Sequence, residues 1–200
     1  MKNISVVLTI FALLMPSLPV PAADLPDVIV KSTVDEVMDV IRKNKDKQML
    51  RDLAEHKVVP HFDFRRMTQK AVGNAWQRAT PAQQEALQNG FRTLLVNTYV
   101  NALNISATGS ETVDVKPLRV ASGQNEVTVK TTVTTPGKQP VPIDYNMDRE
   151  QDGWKVIDVV VDNVSLVINY RGTFSEEINR SGIDGLIRLL DQKNRTLASS

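Results

Sequence analysis

Apolar and polar positions follow two different periods along this chain, and the change between them falls near Gly109. Before it, apolar residues recur at helical spacing; after it, they alternate residue by residue. Thr33 and Glu36 have capping-box spacing, and Val34, Val37, Met38 and Ile41 continue it as a first helix. A second starts near Asp46 with Met49, Leu50, Leu53 and Ala54 on its inner side. Pro60 interrupts the pattern, Asp63 caps a short helix through Met67 and Val72, and Gly73 stops it. The strongest local signal is Thr80-Pro81 with Gln83, which combines a cap, a proline at the first helical position and a completed box. Leu87, Phe91, Leu94, Leu95, Thr98, Tyr99, Ala102 and Leu103 form a broad stripe on the helix that follows, ending near Asn104.

Four strands are predicted beyond Gly109: Thr112 to Val120, Asn125 to Thr135, Val141 to Glu150 and Trp154 to Asp162. Val127, Val129, Thr131 and Val133 share one face, and so do Val141, Ile143, Tyr145 and Met147. The short turns at Ser122-Gly123-Gln124, Pro136-Gly137-Lys138 and Gln151-Asp152-Gly153 imply antiparallel neighbours. Val156 to Val161 is apolar almost throughout, as in a strand covered on both faces or facing a pocket at one end. Val164 to Tyr170 reads as a short apolar helix or turn, with closing helices over Ser175 to Arg180 and Ile183 to Arg195. The fold class is therefore α+β: a curved antiparallel meander of about four strands, with N- and C-terminal helices on one face. Periodicity does not distinguish a filled core from a pocket between those layers.

The first residues change the compartment. Lys2, the apolar run Ile4 to Met15 and small residues at Val20-Pro21-Ala22 have the form of a secretory signal, with cleavage after Ala22 favoured over Ala23. Residues 1–22 are then a leader and 23–200 one domain, of a size that buries a substantial core. The run is too short for an ordinary membrane span. The absence of cysteine excludes a cysteine-linked lipid anchor, disulfides and thiol catalysis. Lys2 is one of 24 basic residues, so its loss leaves them equal to the 23 acidic ones. Such a balance, without a basic stripe, argues against nucleic-acid binding.

Candidate chemistry is sparse. Only His56 and His61 are available as catalytic bases of the serine-histidine type, and their spacing does not put them on one helix face. His61 and Asp63 make too small a set for a metal site. Asp144, Asp148, Asp158 and Asp162 lie on strands, where solvated faces routinely carry such residues, and no motif marks a general acid among them. No glycine run forms a phosphate loop. These residues give an exported α+β domain without catalytic, metal or cofactor sites.

Three stretches go further: Phe62-Asp63-Phe64-Arg65-Arg66-Met67 with Val72-Gly73-Asn74-Ala75-Trp76; Phe91-Arg92-Thr93-Leu94-Leu95-Val96-Asn97-Thr98-Tyr99; and Gly153-Trp154-Lys155-Val156-Ile157-Asp158 with Val164-Ser165-Leu166-Val167-Ile168-Asn169-Tyr170-Arg171 and Phe174. In this order they resemble the MlaC family, periplasmic phospholipid-binding components of a transport system, also described as toluene-tolerance proteins. The resemblance implies a monomeric periplasmic shuttle that maintains outer-membrane lipid asymmetry. Its partners would be phospholipid, an inner-membrane ABC transporter complex with an MCE-domain subunit, and an outer-membrane lipoprotein–porin complex. It also implies an apolar pocket between sheet and helices, holding acyl chains with the head group near its mouth. Burial is worth about 0.8 kcal/mol per CH₂, so exposing a sixteen-carbon chain costs on the order of 12 kcal/mol, and a carrier removes that cost. From the two apolar faces, the expected lining is Leu94, Tyr99, Val133, Tyr145, Met147, Val161, Leu166 and Tyr170. Arg171 is expected near the head group, or in a structural salt bridge. Two rivals are a hydrolase or isomerase on a similar cone-shaped α+β fold, which needs a perturbed acid or base, and a periplasmic chaperone with an exposed apolar groove.

Overall fold

The structure is a computed structural model and describes residues 25–43 and 46–199; the leader read over residues 1–22 lies outside them. Helix α1 spans Pro26–Lys43. It begins seven residues before the expected cap, so Thr33 and Glu36 sit inside it. Pro26 presets the first turn, and the buried residues Pro26, Val30, Met38 and Ile41 carry one apolar face along its length. Helix α2 spans Lys47–Leu53, with Asp46 accepting from the Met49 N–H at 3.0 Å. A wide turn, Ala54–Val58, and a tight one, Val59–His61, extend it to α3 at Phe64–Val72. Asp63 caps α3 by accepting from Arg66 N–H at 2.9 Å, and Gly73 ends it at φ 65°, ψ −140°. A short turn, Gly73–Arg78, then leads to α4, Pro81–Ser106, whose capping box forms as expected.

The strands are β1 (Thr112–Val115), β2 (Glu126–Thr134), β3 (Val141–Glu150), β4 (Gly153–Val161) and β5 (Val164–Ser165). They lie in chain order in one antiparallel sheet, β1-β2-β3-β4-β5. The meander thus has five strands instead of about four. The fifth is the two-residue start of the stretch read as a short helix or turn. β1 is shorter than predicted because Pro117 has no N–H for the ladder and the Leu118 N–H bonds to Asp27 Oδ2 of α1 at 3.0 Å instead. A bulge between Asn146 and Met147 shifts the β3–β4 register. Beyond β5, the free edge of β4 is met by Phe62, and the Asp63 N–H donates to Val156 O at 2.9 Å.

Helix α5 runs from Leu166 to Ala198. Ser165 caps it, and buried Asp158 accepts from both the Ser165 hydroxyl and the Val167 N–H. The expected break between Arg180 and Ile183 is a kink at Gly182, where φ is 71°. There is no break between Tyr170 and Ser175, so the first two predicted pieces are one helix.

Packing divides the interior into clusters. One lies between helices α3, α4 and α5 around Met67, Leu87, Phe91, Phe174, Leu186 and Leu190. A second covers the closed end of the sheet with Val127, Val129, Met147, Trp154 and Val156. A third joins α1, α2 and α4 through Met38, Ile41, Leu50, Val96 and Val100. Among the described residues, no helix is long and apolar enough to cross a membrane.

Candidate functional site: an apolar cavity between helices and sheet

The second and third clusters do not close on each other. Between them lies a cavity of about 580 Å³, within the roughly 300–1,000 Å³ usual for small-molecule sites. The inner sheet face forms one wall through Val133, Ile143, Tyr145, Val159 and Val161. The opposite wall comes from α1 (Val30, Val34, Val37, Met38, Ile41), α2 and its extension, and α4 (Leu95, Val96, Tyr99, Val100, Leu103). Phe62, Phe64 and Met67 line it from the start of α3. Tyr99 and Val141 both line the cavity and remain 39% exposed, which locates an opening between α4 and the start of β3. Further exposed apolar side chains stand on the same elements or on the chain after β4: Ile105, Val164 and Ile168.

The polar lining is confined to a few groups. Ser106, Glu111, Thr135 and Lys138 come from the end of α4, the approach to β1 and the β2–β3 turn, and Thr33 comes from α1. The Thr112↔Thr134 pairing brings Glu111 and Thr135 to the same sheet end. Burial works against the Glu111 charge, but hydrogen bonds from Thr108 and Gly109 outweigh it and hold its pKa below the usual value. Its carboxylate is fixed by its own loop. His61 lines the cavity elsewhere; burial lowers its pKa first, with Lys155 adding to the effect and Glu36 opposing it. Burial pushes the Tyr145 phenol to about 12, and the Tyr99 phenol to about 12 with a contribution from Tyr170. All three favour the uncharged form near neutrality, as an apolar lining requires.

Of the residues expected from the sequence, Tyr99, Val133, Tyr145, Val161 and Leu166 stand in the lining. The other four lie elsewhere. Leu94 turns into the all-helical cluster at 3% exposure, while its neighbour Leu95 reaches the cavity. Met147 shares the inner face with Tyr145, but beyond the cavity's closed end, packed with Val127 and Trp154 at 1% exposure. Tyr170 meets Phe91 and Phe174 with ring centroids 5.1 and 5.6 Å apart. Burial raises its phenol pKa against a hydrogen bond with Thr98. Arg171 packs over Gly73 and lines a separate polar hollow of about 220 Å³ with Asn74, Arg78, Ser175 and Asn179. Sequence reasoning missed the α1 and α2 walls, although the Val34, Val37, Met38 and Ile41 spacing was legible.

None of the four aspartates weighed for catalysis lines the cavity, and Asp162 falls in the turn after β4. Asp148 pairs with Arg66, and Asp158 serves the α5 cap. Among the described residues, no group of three or more His, Cys, Asp or Glu side chains is placed to hold a metal ion.

Comparison with known proteins fits this architecture. The family model described as MlaC protein matches residues 31–192. The toluene tolerance protein ttg2D of Pseudomonas putida is 25% identical over 169 residues, covering 82% of this chain and 77% of that protein. A solved structure of the phospholipid-binding protein from Ralstonia solanacearum, in complex with a phospholipid, superposes with a TM-score of 0.76. The two are 37% identical, and the match covers 86% of this chain and 98% of that one.

Proposed function

The chain belongs to the MlaC family, and from that premise we propose that it is a periplasmic phospholipid carrier whose ligand occupies the apolar cavity. The observation that carries this reading is the cavity itself: about 580 Å³ with mainly aliphatic and aromatic walls, and with Ser106, Glu111, Thr135 and Lys138 toward one sheet end. It occurs in a fold shared with a relative whose structure holds a phospholipid. An amphiphile fits such a site in one orientation, chains against the walls and head group toward the polar end. Each CH₂ moved from water into the walls contributes about 0.8 kcal/mol. No reaction is needed, and the protein acts as a carrier and not as an enzyme.

On this reading residues 1–22 direct export, and residues 23–200 form one lipid-binding domain. The carrier is a monomer that exchanges lipid with an inner-membrane ABC transporter complex bearing an MCE-domain subunit and with an outer-membrane lipoprotein–porin complex. Outer-membrane lipid asymmetry is maintained through that exchange. The near balance of charge in the mature chain limits non-specific adhesion to anionic leaflets. A transfer assay tests the proposal: fluorescent phospholipid is loaded into donor vesicles, and its arrival in acceptor vesicles is followed with and without the delipidated protein. Transfer should rise with protein concentration. A rate equal to the protein-free rate at every concentration contradicts the carrier function.

A further inference from the structure

Two hydroxyls on the inner face of the sheet differ in their partners. Thr131, on the inner face of β2, donates its Oγ1 hydrogen to Ile143 O at 2.7 Å. Tyr145, on the neighbouring strand, makes no hydrogen bond among the described residues. Its register partners are Val129, fully buried, and Val159, 9% exposed, so its ring stands on an aliphatic floor. Tyr145 lines the cavity. Water can reach that hydroxyl in the empty cavity; once an acyl chain displaces the water, the phenol needs another acceptor, and one left without is unfavourable.

We propose that the Tyr145 hydroxyl donates a hydrogen bond to an acyl ester carbonyl of the bound lipid, and so fixes how deeply the ligand enters. This rests on the carrier reading. A glycerophospholipid offers two kinds of oxygen acceptor, charged phosphate and neutral ester carbonyl. A phosphate at Tyr145 would have to leave water without a counter-charge. Among the described residues, Lys138 is the only lysine or arginine in the lining, and it sits in the turn beyond the end of β2, not on the floor. An ester carbonyl is neutral and tolerates the aliphatic surroundings. Val141 marks the opening and lies four residues before Tyr145 on β3, about 13 Å along an extended strand. The ester region therefore lies below the rim, the attached phosphate stays on its opening side, and the acyl chains continue toward Phe62, Phe64 and Met67.

The test uses delipidated full-length mature protein and two ligands with the same chains and head group, a diacyl phosphatidylethanolamine and its dialkyl ether analogue. Binding is measured by displacement of a fluorescent lipid. The wild type should prefer the ester lipid about five-fold, the weight of one neutral hydrogen bond. Tyr145→Phe should bind both lipids equally, at the wild-type ether level. Its thermal midpoint should not fall, since the lost hydroxyl had no partner. Equal binding of the two lipids by the wild type, or an ester preference that survives Tyr145→Phe, overturns the contact. Failure of the wild type to bind either lipid overturns the carrier reading instead.

Discussion

Met38→Gln separates binding from folding. Met38 is 9% exposed, lies on α1 among Ile41, Val96 and Val100, and lines the cavity. Glutamine keeps the unbranched shape and replaces the thioether with a primary amide. With the cavity empty and open to solvent at Tyr99 and Val141, water can hydrate that amide. When an acyl chain fills the cavity, the amide is desolvated without an acceptor, at a cost of about 1–3 kcal/mol. Affinity for a diacyl phospholipid should therefore fall about five- to 150-fold, while the urea midpoint of the lipid-free protein changes little. The contrasting variant is Leu94→Ala. Leu94 lies in the closed helical cluster, so its truncation should cost about 2–5 kcal/mol of stability and leave affinity of the folded fraction unchanged. Fluorescent-lipid displacement gives the affinities, and urea denaturation of delipidated protein gives the stabilities. Wild-type lipid binding by folded Met38→Gln, or binding weakened by Leu94→Ala as much as by Met38→Gln, would refute this division between cavity wall and closed core.

Three further outcomes follow from particular contacts. The His61 pKa lies below its ordinary 6.5, so the unfolded chain takes up a proton more readily. The stability this residue contributes is present above pH 6.5 and is lost as pH falls through the lowered value; His61→Gln should flatten that part of the stability–pH curve, and an unchanged slope would exclude His61 as its source. Thr80→Ala removes the α4 cap that accepts from Gln83 N–H at 3.3 Å, lowering stability by about 1 kcal/mol, a fall in thermal midpoint of about 3 °C; Thr80→Ser should restore it. Gly73→Ala places a side chain at φ 65° with its Cβ 3.3 Å from Arg171 Nη2 and should cost about 1–3 kcal/mol; most of that loss should persist when Arg171→Ala is added, because the backbone dominates, and full rescue would assign it to the contact.

Much of this architecture is legible in side-chain period and turn chemistry. The Thr80-Pro81-Gln83 box, the Gly73 stop and the three short turns are local signals, and each acts where its residues stand. The beginning of α1 is not local in that way: Thr33 and Glu36 have cap spacing but are overridden by an apolar face that starts at Pro26 and packs against the sheet. The cavity lining was legible only in part, for the same reason. Leu94 and Leu95 are adjacent on a helix that is apolar over a wide arc, and only the position of α3 and α5 decides which of them turns away from the sheet. Met147 follows the same alternation as Tyr145, but the bulge after Asn146 and the packing of Trp154 end the cavity before reaching it. An apolar pattern states which side chains leave water. Whether two such faces meet or stay apart depends on the lengths and angles of the elements that carry them.

The most direct measurement is native mass spectrometry of the mature protein purified from periplasm, followed by organic extraction. Phospholipid is expected at about one molecule per chain, released on extraction, and at lower occupancy on Met38→Gln under the same handling. A lipid-free mass for gently prepared wild type, together with no uptake from vesicles, would contradict it and leave the cavity to a different occupant.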